Sequence, residues 1–185
     1  MEALVFAIHD CGYIARSALE AENSAEVRID KIAKIIKDCR YGIHDISRTE
    51  VSRDTGLPRF NMPLELGLFL GARRFGPRTD KLKACLILDR DRYRYQRFCS
   101  DIAGQDIQSH NDLPEVAIGV VRNWLQTNSP TPDVLMPGGA AMAERFALFQ
   151  DELPLLCAKL RLERTTLIFN DYTALVAGWM KENPW

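Results

Sequence analysis

The chain has 185 residues, 46% of them hydrophobic and 26% charged, with 24 basic and 25 acidic residues and a formal net charge of −1. That is enough chain for one domain with a real core, and the balanced charge argues against nucleic-acid binding and against an acidic disordered tail. Five dispersed cysteines, Cys11, Cys39, Cys85, Cys99 and Cys157, form no C-x-x-C pair; with no leader-like segment they read as reduced thiols of a cytoplasmic protein, and no apolar run reaches the roughly 18–20 residues of a membrane span.

The first element, "ALVFAIHD" at 3–10, is a continuous apolar run and is predicted as a strand buried on both faces. Ile29, Ile32, Ala33, Ile35, Ile36 and Cys39 then recur at helical spacing between charged residues, which predicts an amphipathic helix covering a sheet. "YGIHDIS" reads as a second strand, completing a βαβ unit. The polar loop 48–60 follows, with turn signals at Asp54-Thr55-Gly56 and Leu57-Pro58. Asn61 is expected as an N-cap, and Pro63 suits a first turn. The helix they open runs to about Phe75, where Gly76-Pro77 ends it, and "KACLILD" is the third strand.

Beyond it, "RYRYQRF" and "DLPEVAIGVVRNWLQT" read as helices, separated by "CSDIAGQDIQSHN" as a loop or short edge strand. The breaker-rich "SPTPDVLMPGG" marks a boundary. A long helix follows, with Pro154 as a possible kink, then a short extended "TTLIF" and a terminal helix with Asn170 at its start. The expected organisation is a flavodoxin-like parallel sheet sandwiched by helices over residues 1–128. A helical C-terminal portion, 129–185, packs on the same domain. With strand order 2-1-3, the order reverses between strands one and three, and ligands of such folds bind at that carboxyl edge.

The polar residues that need explaining all fall at that expected edge. Glu65 is expected in the first turn of a helix that is apolar nearly all round, "NMPLELGLFLG". The helix dipole favours an early acid by ~0.3–1 kcal/mol, but burying an unpaired carboxylate costs far more, so Glu65 needs a partner, a raised pKa or a cavity. In a cavity it would serve as nucleophile or as stabiliser of an oxocarbenium ion in glycosidic cleavage. Asp45 either orients a ribose hydroxyl or the catalytic acid, or caps a loop as an Asx turn; Ser47 has the same two readings. Asn61 caps the helix, binds substrate, or does both. His9, Asp10, His44 and Asp45 sit at expected strand ends without a recognised metal spacing, so a hydrogen-bonded polar edge is favoured over a metal cluster. Cys11, Gly12 and Tyr13 would form the pocket's other wall. Of the loop arginines Arg16, Arg48, Arg53 and Arg59, Arg48 and Arg59 flank the expected pocket and suit phosphate. His110 is assigned to a loop or helix start. Neither a Rossmann fingerprint nor a P-loop is present.

"HDIS", the polar loop and "FNMPLELGLFLGA" together resemble the TIR-like and nucleoside deoxyribosyltransferase-like superfamily. The resemblance spans residues 3–90 and is most specific from Asn61 to Gly67. It implies N-glycosidic cleavage of NAD or a nucleoside, with Glu65 catalytic and Asp45 as supporting acid. NAD would be substrate and no cofactor is implied. It further implies a homo-oligomer on activation and a role in bacterial antiphage defence. Alternatives are a nucleoside deoxyribosyltransferase or hydrolase, and a non-catalytic nucleotide-sensing module.

Overall fold

The computed structural model describes residues 1–20, 23–52 and 56–185, and among them the chain is α/β, with three parallel strands and six α-helices. It divides into two compact units: Ala25–Leu113, and a discontinuous unit of Met1–Ser24 with Pro114–Trp185. The division thus brackets the sheet-bearing segment instead of falling near residue 128, because the N-terminal segment folds with the C-terminal helices.

That N-terminal segment is helical. Helix α1 spans Glu2–Asp10, so the expected first strand is not formed. Val5, Phe6 and Ala7 are buried, and the Phe6 ring meets Phe146, Phe149 and Trp179 at centroid separations of 5.3, 5.5 and 5.9 Å. A short apolar run does not distinguish a two-sided strand from a buried helix, and here packing against aromatic neighbours selects the helix. The stop signal lies just beyond it. Gly12, at φ +80°, lets its own N–H donate to the His9 carbonyl (2.9 Å) and the Tyr13 N–H to the Ile8 carbonyl (3.0 Å). This is a Schellman closure, which needs a residue tolerant of positive φ at Gly12's place.

The same unit holds α4 (Pro114–Thr127), α5 (Gly139–Lys159) and α6 (Phe169–Glu182). α5 continues through Pro154, burying Met142, Phe149, Leu153 and Cys157 at helical spacing. The expected extended "TTLIF" is instead a 3-10 turn at Arg164–Thr166 leading into α6, and Asn170 lies inside the first turn of α6, not at its cap. α5 ends in a second Schellman closure, with Arg161 N–H to the Ala158 carbonyl (3.1 Å) and Leu162 N–H to the Cys157 carbonyl (2.9 Å). Here the left-handed position is held by Arg161 at φ +56°. Arg161→Gly is therefore expected to stabilise the protein by about 0.5–1 kcal/mol, read as a higher urea midpoint at unchanged slope.

The Ala25–Leu113 unit begins with α2 (Arg28–Asp38), which buries Ile32 and Ile36. Its C-terminus is closed by Lys83, whose Nζ donates to the carbonyls of Ile36 (2.7 Å), Lys37 (3.0 Å) and Cys39 (2.7 Å) and lies 3.3 Å from Asp80. A cation on the last carbonyls complements the helix dipole and satisfies the buried ammonium. Strands β1 (Tyr41–Asp45), β2 (Ala84–Asp89) and β3 (Ile107–Ser109) form a sheet in the order β1-β2-β3. β1 runs parallel to β2 from Tyr41↔Ala84 to Asp45↔Leu88, and β2 to β3 from Ile87↔Ile107 to Asp89↔Ser109. The expected edge strand is thus β3, and the expected 2-1-3 reversal is absent from this sheet.

Between β1 and β2 runs α3 (Asn61–Phe75). It packs so closely on β1 that a Cβ at Gly42 would come within 2.6 Å of the Phe69 ring. Leu66, one turn earlier, joins Ile46, Ile87 and Tyr95 in the core. Phe69 lies over the middle of β1 and Leu66 shares a core with the residue just past its end. The beginning of α3 is thereby carried to the carboxyl end of the strands.

Candidate functional site

Three strand ends supply the chemistry of the carboxyl edge: Asp45 ends β1, Asp89 ends β2, and His110 follows β3. Asp45 Oδ1 accepts from the Ser47 backbone N–H at 2.9 Å and lies 3.4 Å from His110 Nε2. The Asp112 N–H donates to His110 Nδ1 at 3.1 Å, which leaves the ring proton on Nε2, pointing at the carboxylate. His110 is buried, whereas the Asp45 side chain keeps 28% of its exposure. Asp45 Oδ2 accepts no hydrogen bond from a described residue, and Ser47 Oγ is buried without a partner.

Asp89 is fully buried and is answered by Arg94, whose Nε and Nη2 donate to Oδ1 at 2.8 and 2.6 Å. Nη2 also reaches the carbonyls of Ile46 (2.9 Å) and Ser47 (3.0 Å), and Nη1 reaches Thr49 Oγ1 (3.3 Å). One guanidinium thus ties the end of β2 to the segment leaving β1. The expected helix at "RYRYQRF" is only a 3-10 turn, Arg94–Arg97; Tyr95 is buried, Tyr93 stays exposed, and Arg94 turns inward beside Tyr95.

The backbone at this edge is held against local preference. Tyr93 (φ 63°), Asn111 (φ 54°) and Asp112 (φ 57°) are three of the four non-glycine residues with positive φ among the described residues, and all lie in the loops after β2 and β3. Each such residue costs on the order of 1 kcal/mol, least for Asn and Asp. Hydrogen bonds from His110 N to the Asp89 carbonyl (3.1 Å), Asn111 N to the Arg90 carbonyl (2.8 Å) and Leu113 N to the His110 carbonyl (2.9 Å) hold the turn that delivers His110.

Glu65 lies on α3 beside this edge. The helix cap is Phe60, so Asn61 is the first helical residue and Glu65 falls just past the first turn, with no acid inside it. Glu65 is half-buried and makes no hydrogen bond or ion pair to a described residue. Burial pushes its carboxyl above the usual range, and the nearby Arg28 guanidinium opposes that more weakly. Gly42 and His44 face α3, so Asp45, by strand alternation, belongs to the opposite face of β1. The two acids share an end of the sheet without touching.

His44 packs edge-on against Phe69 at a centroid distance of 5.2 Å, with Nε2 buried and without a partner among the described residues. Burial pulls its imidazole down to about 4, so it is a neutral core residue. The unfolded chain takes up this proton first as pH falls, so the protein should lose stability between about pH 6.5 and 4, on the order of 3 kcal/mol at ~1.4 kcal/mol per pH unit. His44→Phe should flatten that window in pH-dependent urea titrations.

The remaining sequence candidates are divided between the two units. His9, Asp10, Cys11, Gly12 and Tyr13 end α1 in the helical unit, not a strand. His9 Nε2 accepts from the Ala15 N–H at 3.5 Å; Asp10 takes Arg145 (3.2 Å) and the Trp185 indole N–H (3.1 Å); burial pushes the Cys11 thiol up to about 12. Arg16, in the same unit, forks onto Glu20. Arg48 is largely exposed, 3.8 Å from Asp112. Arg59 and Asn61 are exposed at the start of α3, and Arg53 lies outside the described residues. Among the described residues no cluster of three or more His, Cys, Asp or Glu side chains is arranged to hold a metal ion, and no helix is long and apolar enough to cross a membrane. No protein-family model, curated protein or solved structure matches the chain.

Proposed function

We propose that the Ala25–Leu113 unit binds NAD or a related nucleotide at the carboxyl edge of its sheet and cleaves the N-glycosidic bond. The observation that carries this reading is Glu65: a half-buried carboxylate on an apolar helix, without a partner among the described residues, its pKa raised by burial. An acid so placed gains nothing for folding, and perturbed carboxylates of this kind concentrate at functional sites.

In the proposed reaction the C1′–N bond breaks and its electron pair passes to the nicotinamide ring, which leaves neutral. The Glu65 carboxylate faces the ribosyl cation left behind and stabilises or traps it. Water then adds at C1′ and gives up a proton, for which a carboxylate of raised basicity is the better acceptor. Asp45 holds a ribose hydroxyl, Ser47 supports it through the backbone N–H on Oδ1, and Arg48 and Arg59 meet the phosphates. Because the leaving group already carries a positive charge, the chemistry calls for no further cofactor. The proposal places the protein in the cytoplasm, active as a homo-oligomer in antiphage defence.

Parallel incubations with NAD and with free nucleosides, at high protein concentration, test the substrate. Nicotinamide release supports the reading. Release of base from nucleosides with NAD intact would replace it with a nucleoside hydrolase or transferase. Nucleotide binding without turnover, unchanged by Glu65→Gln, would replace it with a sensing module.

A further inference from the structure

We propose that His110 is the positioning residue for Asp45, fixing one carboxylate oxygen so that the other is presented to a ribosyl hydroxyl of the ligand. The inference rests on the ribosyl reading of the edge. Asp45 Oδ1 is occupied from two sides, by the Ser47 N–H at 2.9 Å and by His110 Nε2 at 3.4 Å. Among the described residues Oδ2 has no hydrogen-bond partner, and the side chain remains 28% exposed. A carboxylate held by one oxygen and open at the other is an acceptor aimed outward, the arrangement a sugar hydroxyl requires.

His110 is itself fixed. Its Nδ1 is taken by the Asp112 N–H, its backbone N–H by the Asp89 carbonyl, and the ring is buried. Asn111 and Asp112 adopt consecutive left-handed conformations where the chain turns back on the ring. Together these contacts select the Nε2–H tautomer and point it across β2 at the end of β1. The 3.4 Å separation is long for a hydrogen bond, as such contacts often are in the absence of ligand.

The test is a double-mutant cycle read on NAD affinity by calorimetry, in a Glu65→Gln background so that no turnover intervenes. His110→Ala should weaken binding about 10-fold and Asp45→Ala by at least as much, the range expected for losing a hydrogen bond to a charged group. If His110 acts through Asp45, adding His110→Ala to Asp45→Ala changes affinity less than about twofold. His110→Gln, whose amide N–H can replace Nε2–H, should recover most of the loss. A second reading needs no variant: long-range 1H–15N spectra of the wild-type protein should show the proton of this ring on Nε2. Losses that multiply in the cycle, failure of the glutamine to rescue, or an Nδ1–H tautomer would each overturn the role of His110 and leave the Glu65 reading intact. Equal nicotinamide release by wild type and Glu65→Gln would remove the catalytic reading of Glu65, and the cycle is then read with a non-hydrolysable NAD analogue, which tests His110 independently. Absence of NAD binding by the Glu65→Gln protein together with no nicotinamide release by the wild type overturns both.

Discussion

Glu65→Gln will slow nicotinamide release from NAD by at least about 100-fold while raising thermal stability at neutral pH. On the proposed reading, the rate loss follows from removing the group that faces the developing ribosyl charge, a contribution commonly worth 10²–10⁴-fold. The stability gain has the opposite origin. Burial raises the folded-state pKa of Glu65, so the folded chain holds this proton to higher pH than the unfolded chain does. Stability from this group is therefore full below the ordinary carboxylate pKa and is lost as pH rises through the raised folded value. Glutamine removes the penalty at pH 7, and the difference between the two proteins should vanish towards pH 4. A residue serving only the fold would show the reverse pairing, loss of stability without a specific loss of rate.

The second large effect is structural. Arg94→Ala should cost about 3–5 kcal/mol, measured by urea unfolding, because it strands the fully buried Asp89 carboxylate. It also frees the carbonyls of Ile46 and Ser47, which no longer have the guanidinium across from them. Replacing both members, Asp89→Leu with Arg94→Met, should be milder than either single change, since no unpaired charge remains. A cost below about 1 kcal/mol for Arg94→Ala would show that the pair is solvated and does not brace the edge.

The α/β class, the parallel strands at 41–45 and 84–89 and the helix from Asn61 to Phe75 were legible in the sequence. Each is bounded by residues with one mechanical meaning, such as Gly76-Pro77 at the end of α3. The N-terminal segment was not, because "ALVFAI" is equally suited to a buried strand and a buried helix. The deciding partners, Phe146, Phe149 and Trp179, are far away in the chain. The cue that was present is the Cys11-Gly12 step, a helix stop more than a strand end. At the edge, Asp45, Ser47 and Glu65 stood out by type and position. Asp89, Arg94 and His110 did not, since an arginine in a basic-aromatic stretch and a histidine in a loop look solvated until the topology brings three strand ends together. The clue was that "CLILD" and "IQSH" end in polar residues just as "YGIHD" does.

The most direct test is a 1H NMR time course of NAD with the wild-type protein at high concentration beside the Glu65→Gln protein. The nicotinamide-ribose H1′ signal should decay with stoichiometric appearance of free nicotinamide in the wild type, and persist with Glu65→Gln. An unchanged NAD spectrum with the wild type, or the same decay in both, would contradict the proposed reaction.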